Sequence, residues 1–170
     1  RVTRKIVEAN TVKIPKYHGI AKARTWFVDL VYACKLASGW NEGLEAEWLK
    51  EVKKPGKKVE DFGVSWSGDP QHEGRFSRLD KALYKGLLEW MGDKFPQASF
   101  LAGRMREKVF NENLPDVKGR QVLFLIIDET QLNSELTAAA RAEQTFQIPY
   151  PGNHKTEVFL QNWQIGRAHV

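Results

Sequence analysis

The chain has 170 residues, of which 42% are hydrophobic, 11% aromatic and 28% charged. That balance excludes wholesale disorder and is enough for one domain, or two small lobes, with a real core. The formal net charge of +5 and a pI near 9.3 are compatible with a nucleic-acid partner but carry no information about fold. A single cysteine, Cys34, excludes an intramolecular disulfide and points to an intracellular, cytoplasmic setting. The longest apolar run, Val122 to Ile127, is too short for a membrane span. The chain opens at Arg1 with neither a Met nor a leader pattern, so it reads as a piece of a longer reading frame.

Residues 1–24 hold seven basic side chains (Arg1, Arg4, Lys5, Lys13, Lys16, Lys22, Arg24) against one acid, Glu8. With Pro15 and Gly19 they predict an extended basic arm. A helix follows, because Trp26, Phe27, Leu30, Val31, Cys34 and Ala37 recur at helical spacing and Gly39 supplies a stop. Leu44, Trp48, Leu49 and Val52 predict a second amphipathic helix. Residues 53–75, with Lys53-Lys54-Pro55-Gly56-Lys57-Lys58 and Pro70, read as loop and as the place where a single helical domain over 25–170 would divide into lobes.

Ser77 is placed to cap the next helix, whose stripe is Leu79, Leu83, Leu87 and Met91, and Gly92 ends it. Pro96 suits a first helical turn, with Phe100, Leu101, Met105 and Val109 continuing at a near four-residue step until Pro115. The run Val122 to Ile127 has no period: propensity favours a buried strand over 121–127, while its length also fits the buried part of a helix reaching Leu132. Residues 135–144 and 156–163 read as helices, the last with Val158, Phe159 and Trp163 inward. The fold class is therefore mainly α, with α+β as the alternative if 121–127 is a strand. The six tryptophans read as core anchors rather than ligand-stacking platforms.

No complete catalytic motif occurs. An apolar run ending in Asp128-Glu129 resembles the acidic strand end of a nucleotide hydrolase, where the Asp positions magnesium and the Glu a water, but the required phosphate cradle, G-x-x-x-x-G-K-[ST], is missing. His18, His72, His154 and His169 lie too far apart in sequence for a closely spaced zinc site. Cys34 sits on an apolar stripe, the place of a small core residue rather than a nucleophile. No cofactor, small-molecule substrate or membrane partner is expected. For phosphate contact the candidates are Arg1, Arg4, Lys5, Lys53, Lys54, Lys57 and Lys58, although such charge runs are commonly solvated surface.

The segment Lys13-Ile14-Pro15-Lys16-Tyr17-His18-Gly19, leading to Ala23-Arg24-Thr25-Trp26-Phe27, resembles the opening of Copia-type retrotransposon Gag regions, where a P-x-[YF]-x-G turn precedes a first capsid helix bearing a Trp. Arg78 to Leu88 and Lys118 to Ile126 are similar to the middle of those proteins, and Tyr150 to Trp163 to their closing loop and F-x-x-x-W helix. The resemblance implies that the Val122 to Ile127 run is helical. It also implies a structural role: a capsid-type module that self-associates as a homo-oligomer around the element's RNA, with Trp26, Trp48, Leu83, Leu87, Phe159 and Trp163 building cores or assembly contacts. The chain lacks the Cys-Cys-His-Cys knuckle, so RNA capture by that device is not implied for it.

Overall fold

The first helix, α1 (Ala23–Ser38), forms on the predicted stripe and buries Trp26, Phe27, Leu30, Val31, Cys34 and Ala37. It ends because Gly39 takes φ 71°, a left-handed value that costs a residue with a Cβ about 1 kcal/mol. A side chain there would also strike the carbonyl oxygen of Val7, which a Cβ would approach to 2.3 Å. The computed structural model of the chain describes residues 7–132, of which 7–130 belong to a unit spanning Arg1–Thr130. The second unit, Gln131–Val170, lies almost wholly outside the described residues. So do the helices expected over 135–144 and 156–163, with Phe159 and Trp163, and so do Arg1, Arg4 and Lys5.

Beyond α1 come α2 (Glu45–Lys50), extended by a 3₁₀ turn over Glu51–Lys53, then α3 (Ser77–Met91), α4 (Pro96–Glu112) and α5 (residues 119–132). No strand occurs among the described residues, and the protein is mainly α. The strand alternative for 121–127 is thereby corrected: the run is buried on several sides, as Val122, Leu123, Leu125, Ile126 and Ile127 all belong to the core, and such a helix shows no polar period. α1 packs on α2 and α3. Leu79, Leu83, Leu87 and Met91 of α3 are all buried as predicted.

The connecting segments are irregular, as expected, but they are packed against the helices. Residues 53–75 are not a free connection. Val59–Phe62 forms a 3₁₀ turn, and Phe62 and Trp66 are buried in the same core cluster as α1, α3 and α5, so no lobe boundary falls there. The described part of the arm, residues 7–19, is extended and docked: Val12 is buried, the Ala9 N–H donates to the Ala37 carbonyl at 2.7 Å, and the Pro15 carbonyl accepts from Trp26 Nε1 at 2.9 Å. Tyr17 packs edge-on against Trp26, Trp90 and Phe95, while Trp26 and Trp90 stack with centroids 5.0 Å apart. Indoles fasten the irregular chain elsewhere too, Trp40 Nε1 donating to Glu8 at 3.1 Å and Trp66 Nε1 to Glu51 at 3.0 Å.

The helix starts show one recurring device. None of the α-helices α1 to α4 receives a cap from its own N-cap side chain. Ser77, the expected cap of α3, instead donates to the Gly74 carbonyl, and Phe76 occupies the N-cap position at φ 68°. The first-turn amides of three helices are satisfied by carboxylates from elsewhere. Glu8 of the extended segment accepts from Leu79 N at 3.2 Å, at the start of α3. Glu129 of α5 accepts from Gln97 N at 3.2 Å and Ala98 N at 3.0 Å, at the start of α4. Asp80 of α3 accepts from Arg120 N at 3.0 Å, at the start of α5. A carboxylate on such donors also meets the positive end of the helix dipole.

Candidate assembly surface

α1 has two faces of contrasting character. Its inner face carries the core stripe, while its outer face carries a second apolar line, Val28, Tyr32 and Leu36, at an i, i+4, i+8 spacing that stacks them along one edge. Their exposures are 47%, 60% and 90%, and Leu36 is the most exposed large apolar residue among those described. Lys35 lies over the Tyr32 ring at 5.2 Å, leaving the end of the stripe bordered by charge. A single exposed Leu is ordinary, but three in line on one rigid helix make a contact strip whose burial would contribute about 1.5–3 kcal/mol per side chain.

Trp26, Trp48, Leu83 and Leu87, grouped in the sequence as core or assembly residues, are all buried in the core and therefore unable to touch a partner directly. The sequence reading missed Val28, Tyr32 and Leu36 because they are offset from the dominant stripe; their i, i+4, i+8 recurrence was the available signal. The four lysines after α2, Lys53, Lys54, Lys57 and Lys58, flank the Gly56 turn and are all exposed, yet they are not equivalent. Lys53 is held over the Phe27 ring at 3.9 Å, and desolvation there, with the nearby Arg24 charge, lowers its pKa.

Asp128 and Glu129 do not stand at a strand end. Asp128 is exposed on α5, and Glu129 is buried as the acceptor for the α4 amides, so the two carboxylates do not form the predicted metal and water pair. Cys34 is fully buried, and burial, followed by the charges of Glu45 and Asp80, pushes its thiol up to about 12, the opposite of what a nucleophile needs. Among the described residues no group of three or more His, Cys, Asp or Glu could hold a metal ion.

Two buried arginines organise the interior. Arg120 donates to Glu51 at 2.8 Å and to the Trp48 carbonyl at 3.2 Å, tying α5 to the end of α2. Arg75 donates to Asp69 at 2.7 Å and Glu42 at 3.0 Å with its guanidinium over Trp40 at 4.1 Å. Hydrogen bonds from Arg75 and His72 hold Asp69 below the usual carboxylate range, against the upward pull of desolvation. These networks brace the 69–76 turn and the contact between α5 and the end of α2.

The fold and surface define a helical domain with a rigid outward apolar strip. Neither a protein-family model, a curated protein nor a solved structure matches this chain. No helix among the described residues is long and apolar enough to cross a membrane.

Proposed function

We propose that this chain is a non-catalytic assembly domain of Gag-capsid type, self-associating as a homo-oligomer within a particle that encloses nucleic acid. The observation that carries the reading is the Val28, Tyr32 and Leu36 strip on the outer face of α1. Two copies meeting along this strip would bury the same residues from both sides, the self-complementary arrangement of a two-fold contact. The layout of the first helix also fits: the extended Pro15–Gly19 segment leads into α1 through the 3₁₀ turn Ile20–Lys22 and holds Trp26 through the Pro15 carbonyl and the Tyr17 ring. The helical state of 121–127 agrees with the same family pattern.

Sedimentation velocity across a concentration series tests the proposal. The expected result is mass-action growth of oligomers at moderate salt, abolished by Leu36→Asp with no loss of thermal stability, since Leu36 makes little use of the core. A wild-type chain that stays monomeric throughout, or oligomers indifferent to Leu36→Asp and Val28→Asp, would overturn it.

A further inference from the structure

The end of α4 and the loop after it form a second surface of different chemistry. Asn113 ends α4 in a left-handed conformation at φ 52°, and the chain then doubles back through Pro115 to the start of α5. Between α3, α4 and this loop lies a groove of about 480 Å³ lined by Lys81, Tyr84, Arg106, Phe110, Asp116 and Lys118, with Val109 and Val117 contributing its apolar part. Three cations face one acid, and Phe110 stands 83% exposed at its edge.

The groove is braced by the fold. A Cβ on Gly119 would lie 2.4 Å from the Asp80 carbonyl oxygen and 2.8 Å from Tyr84 N, so only a glycine lets the loop end lie directly on α3 between Lys81 and Tyr84. Asp80, the neighbour of Lys81, locks the same junction by accepting from Arg120 N. Lys81, Tyr84 and Lys118 are thus presented from a rigid junction, while Arg106 and Phe110 come from one helix at an i, i+4 spacing that puts them side by side.

An exposed flat ring beside convergent cations suits a ligand that is itself flat and anionic. The ring offers a stacking face, and Arg106, Lys81 and Lys118 neutralise a phosphate. We propose that the α3–α4 groove is a nucleotide site, taking an aromatic base on Phe110 and its phosphate among Lys81, Arg106 and Lys118. The same chemistry is offered by a free mononucleotide and by one unit of a single strand. The site is separate from the α1 strip, and it does not require the assembly reading to hold.

The test is fluorescence anisotropy of labelled oligouridylate, and calorimetry with uridine and adenosine monophosphates, on the full chain and in the Leu36→Asp background so that self-association is uncoupled from binding. Phe110→Ala is expected to weaken binding by about 5- to 100-fold, the range of one base–aromatic stack. Arg106→Gln with Lys118→Gln should weaken it further and flatten its salt dependence. Lys54→Gln, Lys57→Gln and Lys58→Gln together should leave it unchanged. All these side chains are exposed or half-buried, and circular dichroism melting identifies any variant that fails to fold. Binding of the mononucleotides alone, or of the oligomer alone, names the source, and either supports the site. No binding of any probe at low salt, or binding lost with the Lys54, Lys57 and Lys58 changes but indifferent to Phe110→Ala, would overturn it.

Discussion

α4 and α5 are similar in length, yet the fold uses them in opposite ways. α5 is buried on several sides, from Arg120 and Gln121 through Ile127, and reaches three neighbours: α3 through the Asp80 cap, the end of α2 through Arg120, and α4 through Glu129. α4 buries only Ala98 and Ala102, with Met105 and Val109 partly covered, and turns Phe100, Arg104, Arg106 and Phe110 outward. The difference teaches that the stripe with the larger side chains is not always the buried one. α4 approaches the body through its smallest residues, which permits close backbone contact, and leaves its aromatic side chains for the surface.

The largest expected effect that would sharpen this contrast is in α5. Leu123→Ala, at a fully buried position, should cost about 2–5 kcal/mol in chemical denaturation, whereas Phe110→Ala in α4 should stay within about 0.5 kcal/mol. Equal losses at the two sites would dissolve the distinction. Next in size is the bond between the two helices. Glu129→Ala removes the acceptor from Gln97 and Ala98 and should cost about 1–2 kcal/mol, with amide exchange quickening first in α4. Glu129→Gln, which keeps an acceptor oxygen, should recover part of that. Uniform quickening across α1 and α3 would show instead that α4 is not a separately loosened element.

The remaining effect concerns pH. Burial raises Asp80 from 3.8 to about 6, against the opposing pull of the Arg120 amide and the Arg120 and Lys118 charges. Because the folded state holds this proton more tightly than the unfolded one, the Asp80 contribution to stability is greatest below 3.8 and declines as pH rises to about 6. Glu42 and Asp69, both shifted downward, act in the opposite sense, losing stability as pH falls through their range. Wild type minus Asp80→Asn isolates the first contribution, since Asn keeps an acceptor for Arg120 N. Melting curves for the two proteins should diverge as pH rises through that window, and parallel curves would refute the assignment.

Much of the helical framework is legible locally. The α1 and α3 stripes, the Gly39 and Gly92 stops and Pro96 in the first turn of α4 each follow from spacing or backbone preference within one element. The candidate surfaces are less legible. The Val28, Tyr32 and Leu36 strip is a subordinate periodicity hidden beside a stronger one. The groove depends on Lys81, Arg106 and Lys118 arriving from three segments, a proximity that no local pattern encodes.

By itself, the sequence determined that apolar residues at helical spacing would build a helical domain, because that periodicity is a property of single segments. Tertiary structure alone decided that Val122 to Ile127 is a helix, since an apolar run without a period satisfies either backbone geometry until neighbours surround it. It also decided that Glu129 is a helix cap rather than half of a catalytic pair. A carboxylate takes its role from the donors it meets, and the amides of Gln97 and Ala98 come to Glu129 only when α4 and α5 pack.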